Sequence, residues 1–453
     1  MAAKDLSASG VLFTDRRNFY IDPQVVKELW TDVTPFTTVI ANKETRNVPD
    51  PVFKMFEHKQ PWVKQSFTSG TDVANATDGS ESGNMDVANI VGLPACNASW
   101  LGLELECWDS TETTKRGVGI VTTVTDSDTI KFTPVGGAID VASGDVFHVI
   151  GNAHGEGGYS PEAWSDELKV VYNSCQIFKN PLEITGTLLE AALRGESSEL
   201  ARLRMQKSQE HKIQKERAFL FGKRLGGTGL QDSAQSDGYN DSSAIGESFA
   251  DGGINGAAVG SIATPAGSGA GKVRTTYGIV SAIEAYGEAT TTHDYQNIFS
   301  CSEASYTYSN FVDDMEKIFQ YVPTSGVKKA FVGAGALGYW SKMAGNAGFA
   351  GNNGWSVNLG DMKRDALGFN YRTLETPHGM LQMIPTPALR GPYNKYMLVV
   401  DDDNLFHSQY RASMYQTNIK TDNAYDGVKD QYMSDEGIGI TNINSHSLIK
   451  ITA

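Results

Sequence analysis

The chain has 453 residues, 40% of them hydrophobic and 20% charged, which suits two or more globular packing units and excludes disorder throughout. Its net charge of −15 disfavours a tight reader of nucleic acid, because an acidic surface repels phosphate; a container that encloses nucleic acid without gripping it is still allowed. No stretch approaches the roughly 20 apolar residues needed to span a bilayer.

Residues 1–47 read as an arm. Asp22-Pro23 opens a short helical pattern with Val25, Val26, Leu29 and Trp30, and Pro35 is expected to stop it. Mixed charges and the lack of a compact apolar face make this segment stable only when laid on something else. Residues 48–98 begin as an apolar stem, Val52, Phe53, Met55, Phe56, Pro61 and Trp62. Ser66–Asn89 then turns to Thr, Ser, Gly, Asp and Asn, and no lysine or arginine occurs between Lys64 and Lys115. This predicts a long protruding loop with an acidic tip.

Residues 99–155 predict a small inserted β-domain, a barrel or a sandwich. Leu101, Leu103 and Leu105 alternate with Gly102, Glu104 and Glu106. Val118–Thr125 and Thr129–Val135 flank Asp126-Ser127-Asp128 as a hairpin, and Gly144-Asp145 leads into Val146–Ile150. Residues 151–169 read as irregular, and Val170–Ile177 as a strand. Residues 156–225 contain the longest helix candidate, about 28 residues and roughly 42 Å. Leu200 and Leu203 mark its one apolar stripe, and Glu199–Arg224 carries eight Lys/Arg against three Asp/Glu.

Residues 226–274 form a Gly-rich insertion, with 12 glycines and no lysine or arginine in 226–271. Residues 275–400 return to regular structure. Phe311, Val312, Met315, Ile318, Phe319 and Val322 recur at helical spacing over Ser309–Val322, and Pro323 ends that helix. A strand at Ala330–Val332 and a helix at Leu337–Ala344 follow, then strands at Met380–Ile384, Tyr396–Val400 and, within the closing residues 401–453, Leu448–Ile451.

Motifs for chemistry are few. Gly333-Ala334-Gly335-Ala336-Leu337-Gly338 has the spacing G-x-G-x-x-G after a strand and before a helix, but Ala350–Asp361 supplies no second strand ending in an acidic residue. A turn of small residues is the reading it supports. Asp401-Asp402-Asp403 reads as a strand-ending turn rather than a cation site. The eight histidines form neither H-x-x-x-H nor H-E-x-x-H, and no nucleophile elbow or phosphate loop is present. The basic run from Arg202 to Arg224 reads as a solvated or acid-paired face. Cys96, Cys107, Cys175 and Cys301 stand too far apart for C-x-x-C, and Met1–Gly10 shows no secretion signal, which fits a reducing cytoplasm. No catalytic, cofactor or metal residue is assigned.

The order of several short blocks resembles major capsid proteins of tailed bacteriophages with the Hong Kong 97-type fold. These blocks are Asn152-Ala153-His154-Gly155-Glu156-Gly157 and Tyr172-Asn173-Ser174-Cys175-Gln176-Ile177-Phe178. The helix ending Glu216-Arg217-Ala218-Phe219-Leu220-Phe221-Gly222-Lys223 follows, then Phe311–Val322 with Lys328–Met343, Tyr396–Arg411, and Asp430–Ile451 with its Asp435-Glu436-Gly437-Ile438 and Asn444-Ser445-His446. The resemblance implies an α+β fold. Its parts would be an N-terminal arm (1–47), an extended loop (48–98), the inserted β-domain (99–155), a peripheral domain with a spine helix (156–225), the Gly-rich insertion (226–274), an axial domain (275–400) and closing strands (401–453). It also implies hexamers and pentamers of a virion shell around double-stranded DNA, with no sequence-specific binding and no membrane, assembled in a host cytoplasm. Scaffolding, portal and decoration proteins are its implied partners. Some such shells crosslink a loop lysine to a neighbour's asparagine; here the loop lysines are Lys54, Lys59 and Lys64, all in the stem, so no tip crosslink is expected. The short stretch before the loop implies a separate scaffold or none. An encapsulin-like nanocompartment shares the expected fold, and a nicotinamide-dependent oxidoreductase using Gly333–Gly338 is the distant alternative.

Overall fold

The structure is a computed structural model that describes residues 34–57, 65–157, 161–163, 169–190, 199–223, 274–287, 289, 296–303, 305–320, 326–345, 363–364, 370–419 and 426–452. The chain divides into two compact units, one of Met1–Met55, Tyr172–Ala289 and Gln296–Ala453, the other of Phe56–Val171 with Thr290–Tyr295. The helical pattern expected around Val25–Trp30 and the Gly-rich stretch 226–271 lie outside the described residues.

The first described element is α1, Pro35–Lys43. Pro35 starts this helix, and the helix it is expected to stop lies outside the described residues. The proline's missing N–H falls among the first-turn donors that have no intrahelical partner, and its fixed φ suits the first helical position. Phe36, Val39 and Ile40 are buried, worth about 2 kcal/mol each. The end of the expected arm is thus packed into the fold. Strands β1 (Thr45–Asn47) and β2 (Val52–Glu57) follow; β2 is extended and alternates, with Phe53, Met55 and Glu57 buried and Phe56 of the expected apolar stem exposed.

The second unit holds β3 (Ser66–Ser69), β4 (Val73–Ala76), β5 (Met85–Val91), β6 (Leu103–Trp108), β7 (Lys115–Val124), β8 (Thr129–Val135), β9 (Ile139–Val141) and β10 (Val146–Asn152). Six of these close a barrel in the order β10-β3-β5-β8-β7-β6, and β4 and β9 form a separate ribbon. Every barrel pairing is antiparallel, and closure leaves no free edge. The β7–β8 hairpin and β10 lie where alternation placed them, although Gly151 and Asn152 continue β10 and are not irregular. The expected loop over Ser66–Asn89 is instead largely barrel: Phe67, Val73, Met85 and Val87 are buried in its core among polar turn residues. Phe67 stacks on Phe147 at 5.1 Å and meets Trp100 at 5.2 Å; Phe132 meets Phe147 at 5.9 Å. Gly119 on β7 lets Phe132 lie flat against the backbone, since a Cβ there would stand 2.7 Å from the ring.

The chain continues through β11 (Lys169–Ser174), β12 (Gln176–Thr185), the single turn α2 (Gly186–Glu190) and the long helix α3 (Glu199–Phe221). β2 and β11 form a two-stranded sheet. At 23 residues, α3 is about 35 Å long. β12 alternates strictly: Phe178, Asn180, Leu182 and Ile184 are buried, while Lys179, Pro181 and Glu183 are exposed. Pro181 is tolerated because β12 is an edge strand.

The remaining elements are α4 (Ile279–Tyr286), β13 (Ile298–Ser302), α5 (Tyr308–Ile318), β14 (Val327–Val332), α6 (Ala334–Gly345), β15 (Lys363–Arg364), β16 (Asn370–Thr376), β17 (Gly379–Pro385), β18 (Tyr396–Val400), β19 (Leu405–Gln416), β20 (Gly427–Ile440) and β21 (Ser447–Thr452). Seven strands build a mixed sheet in the order β13-β21-β18-β14-β17-β16-β15. Phe311, Met315 and Ile318 of α5 and Trp340 of α6 pack on Leu381, Met397, Val399 and Ile449 in one apolar core. A second sheet runs β1-β19-β20-β12. The fold class is α+β, as expected.

Candidate functional site

The long helix α3 has no apolar face to bury. Leu200 and Leu203, the stripe expected from sequence, are only half-buried. The residues α3 buries are Gln209, His211, Glu216, Phe219 and Leu220. A polar face can be buried only if every charge and donor finds a partner, so the sheet beneath must supply them. β20 and β12 do so through alternate positions on one face: Asp430, Tyr432, Ser434 and Glu436 pair in register with Leu182, Asn180, Phe178 and Gln176.

The contacts run along the helix in four steps. Arg204 donates from Nη2 to Asp430 Oδ2 at 2.8 Å, and its guanidinium lies 5.3 Å from the centre of the Tyr415 ring. Asp430 also accepts from Tyr415 OH and from the Asn418 N–H at 2.8 Å. Burial pushes the Asp430 carboxyl up, but these hydrogen bonds and Arg204 outweigh it and hold the group below its usual range. One turn further on, His211 Nδ1 donates to Asn180 Oδ1 at 2.7 Å. The other ring nitrogen, Nε2, meets Ser434 Oγ at 3.0 Å. Burial and Lys215 push His211 down to about 4, with Glu436 opposing, so at neutral pH the ring is uncharged and Nε2 accepts from the serine.

Glu436 is the third step. It accepts from Lys215 Nζ at 3.1 Å, His407 Nε2 at 3.1 Å and Ser413 Oγ at 2.7 Å. Burial raises its carboxyl; His407, Lys215 and Ser413 together overcome that and bring it to about 2. Last comes Glu216. Thr34 gives α1 no side-chain cap. Glu216 takes that place from 180 residues away: Oε1 accepts from Phe36 N at 3.1 Å, and Oε2 from Thr37 N and Thr37 Oγ1, each at 2.8 Å. A carboxylate at a helix N-terminus satisfies orphan donors and meets the positive end of the helix dipole.

A buried asparagine closes the sheet in the same manner. Asn173 donates to Ile438 O at 2.6 Å and Tyr277 O at 3.1 Å, and accepts from Tyr277 N at 2.9 Å. These groups include histidine, glutamate and serine, the material of acid–base catalysis. Each one is closed by neighbours from its own chain, so what the seam does chemically is to fix a polar helix, the segment 34–47 and a sheet as one piece.

The glycine fingerprint is closed too. Gly335 N donates to Asn394 Oδ1 at 2.9 Å and Ala336 N to Asn394 O at 3.1 Å. The N–H groups that a pyrophosphate would need at the start of α6 are held by one asparagine. A Cβ at Gly333 would stand 2.3 Å from Asn394 O, which is why glycine is there. At Asp401–Asp403, the Asp401 carboxylate accepts from Asp403 N and Asn404 Nδ2, while Asp402 pairs with Lys329 and Asp403 with Lys43: a turn, as read from sequence. Among the described residues no group of three or more His, Cys, Asp or Glu is placed to hold a metal. The four cysteines are free and buried, and burial pushes Cys107, Cys175 and Cys301 up to about 12.

Of the basic run, Arg202 pairs with Glu199, Arg204 with Asp430, Lys207 with Glu210 and Lys215 with Glu436; Lys212 and Arg217 are exposed. Sequence reading missed Glu216, Asp430 and Glu436 as a set. A usable signal was present: a helix too long to be solvated and too polar to pack on aliphatic residues needs an acidic strand, and Asp430–Glu436 is the segment that fits.

No curated protein matches the sequence. Solved structures that the chain is similar to include the capsid of a native GTA particle, with TM-score 0.45, 8% identity, and 99% of each chain covered. A structure of Mycobacterium phage Bobi gives 0.43 and 10%, covering 99% of this chain and 100% of that one. The holo-SrpI encapsulin complex of Synechococcus elongatus PCC 7942 gives 0.42 and 6%, covering 98% and 96%. The sequence model of the SU10 major capsid protein family matches residues 21–239 and 252–453. The chain belongs to the SU10 major capsid protein family and is a phage major capsid protein.

Proposed function

We propose that copies of this chain assemble, as hexamers and pentamers with the Hong Kong 97-type fold, into the icosahedral shell of a tailed phage, and that the shell encloses double-stranded DNA without reading its sequence. The observation that carries this is the family match over nearly the whole chain. The physical reading agrees in kind. A polar helix locked to its sheet makes a rigid strut, and closed shells are built from heterologous contacts between rigid copies. The chain acts as a wall and not as a catalyst. Residues 1–47 are the arm, with 34–47 its anchored root; the spine helix is α3; the sheet bearing α5 and α6 is the axial domain; scaffolding, portal and decoration proteins are partners in a host cytoplasm. Stem lysines alone support no tip crosslink, so boiled particles should run as single subunits.

Mass spectrometry and a stained gel of purified particles test this reading. The account expects this chain to be the most abundant protein, in closed shells whose DNA resists nuclease. A minor component, or a small DNA-free shell loaded with an enzyme, would overturn it, the second in favour of a nanocompartment.

A further inference from the structure

A barrel standing in water turns apolar side chains inward and polar ones outward, because the strand period is two. Four contiguous strands here, β8-β7-β6-β10, break that rule. Their inward positions are apolar as expected: Leu105, Cys107, Val121, Phe132 and Phe147 are buried. Their outward positions alternate with these and still carry Trp108, Val118, Ile120, Val135, Val146 and Ile150. Val135 and Ile150 are 50% and 52% exposed, and the other four are half-buried. The register sets them side by side: Val118 stands opposite Val135, and Trp108 opposite Val146. Apolar side chains gathered on one exposed face, with an aromatic among them, mark a contact surface. The barrel is closed, so a partner cannot add a strand to it and has to meet the face.

The charges on this face decide what the partner is. Residues 65–157 hold 13 Asp/Glu against three Lys/Arg. The exposed carboxylates Asp72, Asp78, Asp86, Asp126 and Asp128 all lie off the outward face of these four strands, in turns and on β5. The face itself holds both signs: Glu104 and Glu106 on β6, Lys115 at the start of β7 and Lys131 on β8. Lys115 pairs with Glu106, and Lys131 only loosely with Glu81 at 3.6 Å; Glu104 has no ion-pair partner among the described residues. A surface that carries both signs can complement itself, whereas the barrel's remaining acidic surface repels its own kind. Resting on the capsid reading, we propose that this face is an interface and that its occupant is the same face of a second copy's barrel. A two-fold axis running along β7 lays β6 of one copy over β8 of the other. Glu104 then meets the partner's Lys131, while Val118 and Ile120 meet their own counterparts away from water. The exposed carboxylates stay outside the contact.

Val118→Cys tests this, because the change is small, the position lies on the two-fold, and the four native cysteines are buried. Nuclease-resistant particles of the full chain are oxidised with copper phenanthroline and run on a denaturing gel without reductant. The expected result is a shift of the chain from the monomer band to a reducible dimer band. Ser127→Cys, in the exposed β7–β8 turn, should stay monomeric. Val135→Cys reads the same face without two sulfurs having to meet. A small maleimide should label it slowly in intact particles and fast once they are dissociated, while Ser127→Cys is labelled fast in both. Protection of Val135→Cys with no dimer from Val118→Cys would give the face to a different partner and overturn the second copy as occupant. Fast labelling of Val135→Cys in intact particles would overturn the interface itself. A failure of the wild-type chain to yield nuclease-resistant particles would instead overturn the capsid reading, and this inference with it.

Discussion

The barrel and the α3 seam solve the same packing problem with opposite chemistry. In the barrel, Phe67, Trp100, Phe132 and Phe147 fill an interior whose stability comes from apolar area removed from water. Under α3, the buried His211 and Glu216 and the half-buried Arg204 and Lys215 meet Phe36, Thr37, Asn180, Asp430, Ser434 and Glu436. Burying these yields little net energy, because desolvation offsets much of the attraction. What such a seam supplies is a single register, since any shift leaves a charge unpaired. A closed barrel tolerates small adjustments; a strut that must present the same surfaces to many neighbours gains from having one seating only.

The contrast can be broken at either end. The largest effect should come from the barrel core: Phe132→Ala leaves a cavity among aromatic rings and should cost about 4 kcal/mol in denaturant unfolding of the barrel. In the seam, Glu436→Gln removes a charge shared by Lys215 and His407 and should cost about 3 kcal/mol, seen as early loss of α3 protection in hydrogen exchange.

The pH response should separate the two regions further. His211 falls to about 4 when folded from an ordinary 6.5, so its neutral form is what the fold prefers. The stability it contributes is complete above pH 6.5 and is lost as pH falls from there toward 4. Between pH 7 and pH 5 the loss is on the order of 2 kcal/mol. Glu436, held at about 2, adds a loss only below its ordinary 4.5, and Glu216, pushed up by burial, works in the opposite sense. Acid should therefore loosen α3 before it loosens the barrel. His211 begins to charge near pH 6.5, whereas the barrel carboxylates Glu81, Glu106, Asp109 and Asp126, held below their usual range, are protonated only at lower pH. Urea midpoints measured at both pH values for wild type and His211→Asn check this; the variant should lose the slope above pH 5. The smallest effect belongs to Lys207→Ala. Its partner Glu210 is on the same helix and both side chains are partly exposed, so the change should stay within about 0.5 kcal/mol, against the more deeply set Lys215–Glu436 pair two turns on.

The same contrast explains what could be read from sequence. Strands β6, β7, β8 and β10 announce themselves by period-two alternation, because one face is apolar and the other polar. β3 and β5 belong to the same barrel but contribute single apolar residues, Phe67, Met85 and Val87, inside runs of Ser, Thr, Gly and Asn. There turn chemistry masks the period. α3 is legible as a helix, yet its buried face is not, since hydrophobic spacing carries no information about charges that find partners more than 200 residues away. Pro35 is ambiguous for a related reason: a proline can end one helix and start the next, and the start of α1 shows only once the carboxylate capping its first turn is known. Gly333–Gly338 reads as a strand-to-helix turn because its missing context outweighs its pattern, and in the structure it joins β14 to α6.

Electron cryomicroscopy of DNA-filled particles tests the central claim most directly. The account predicts a closed icosahedral map whose repeating subunit, around both sixfold and fivefold positions, traces this chain, with α3 seated on β12 and β20. A shell density into which this chain does not fit would contradict it.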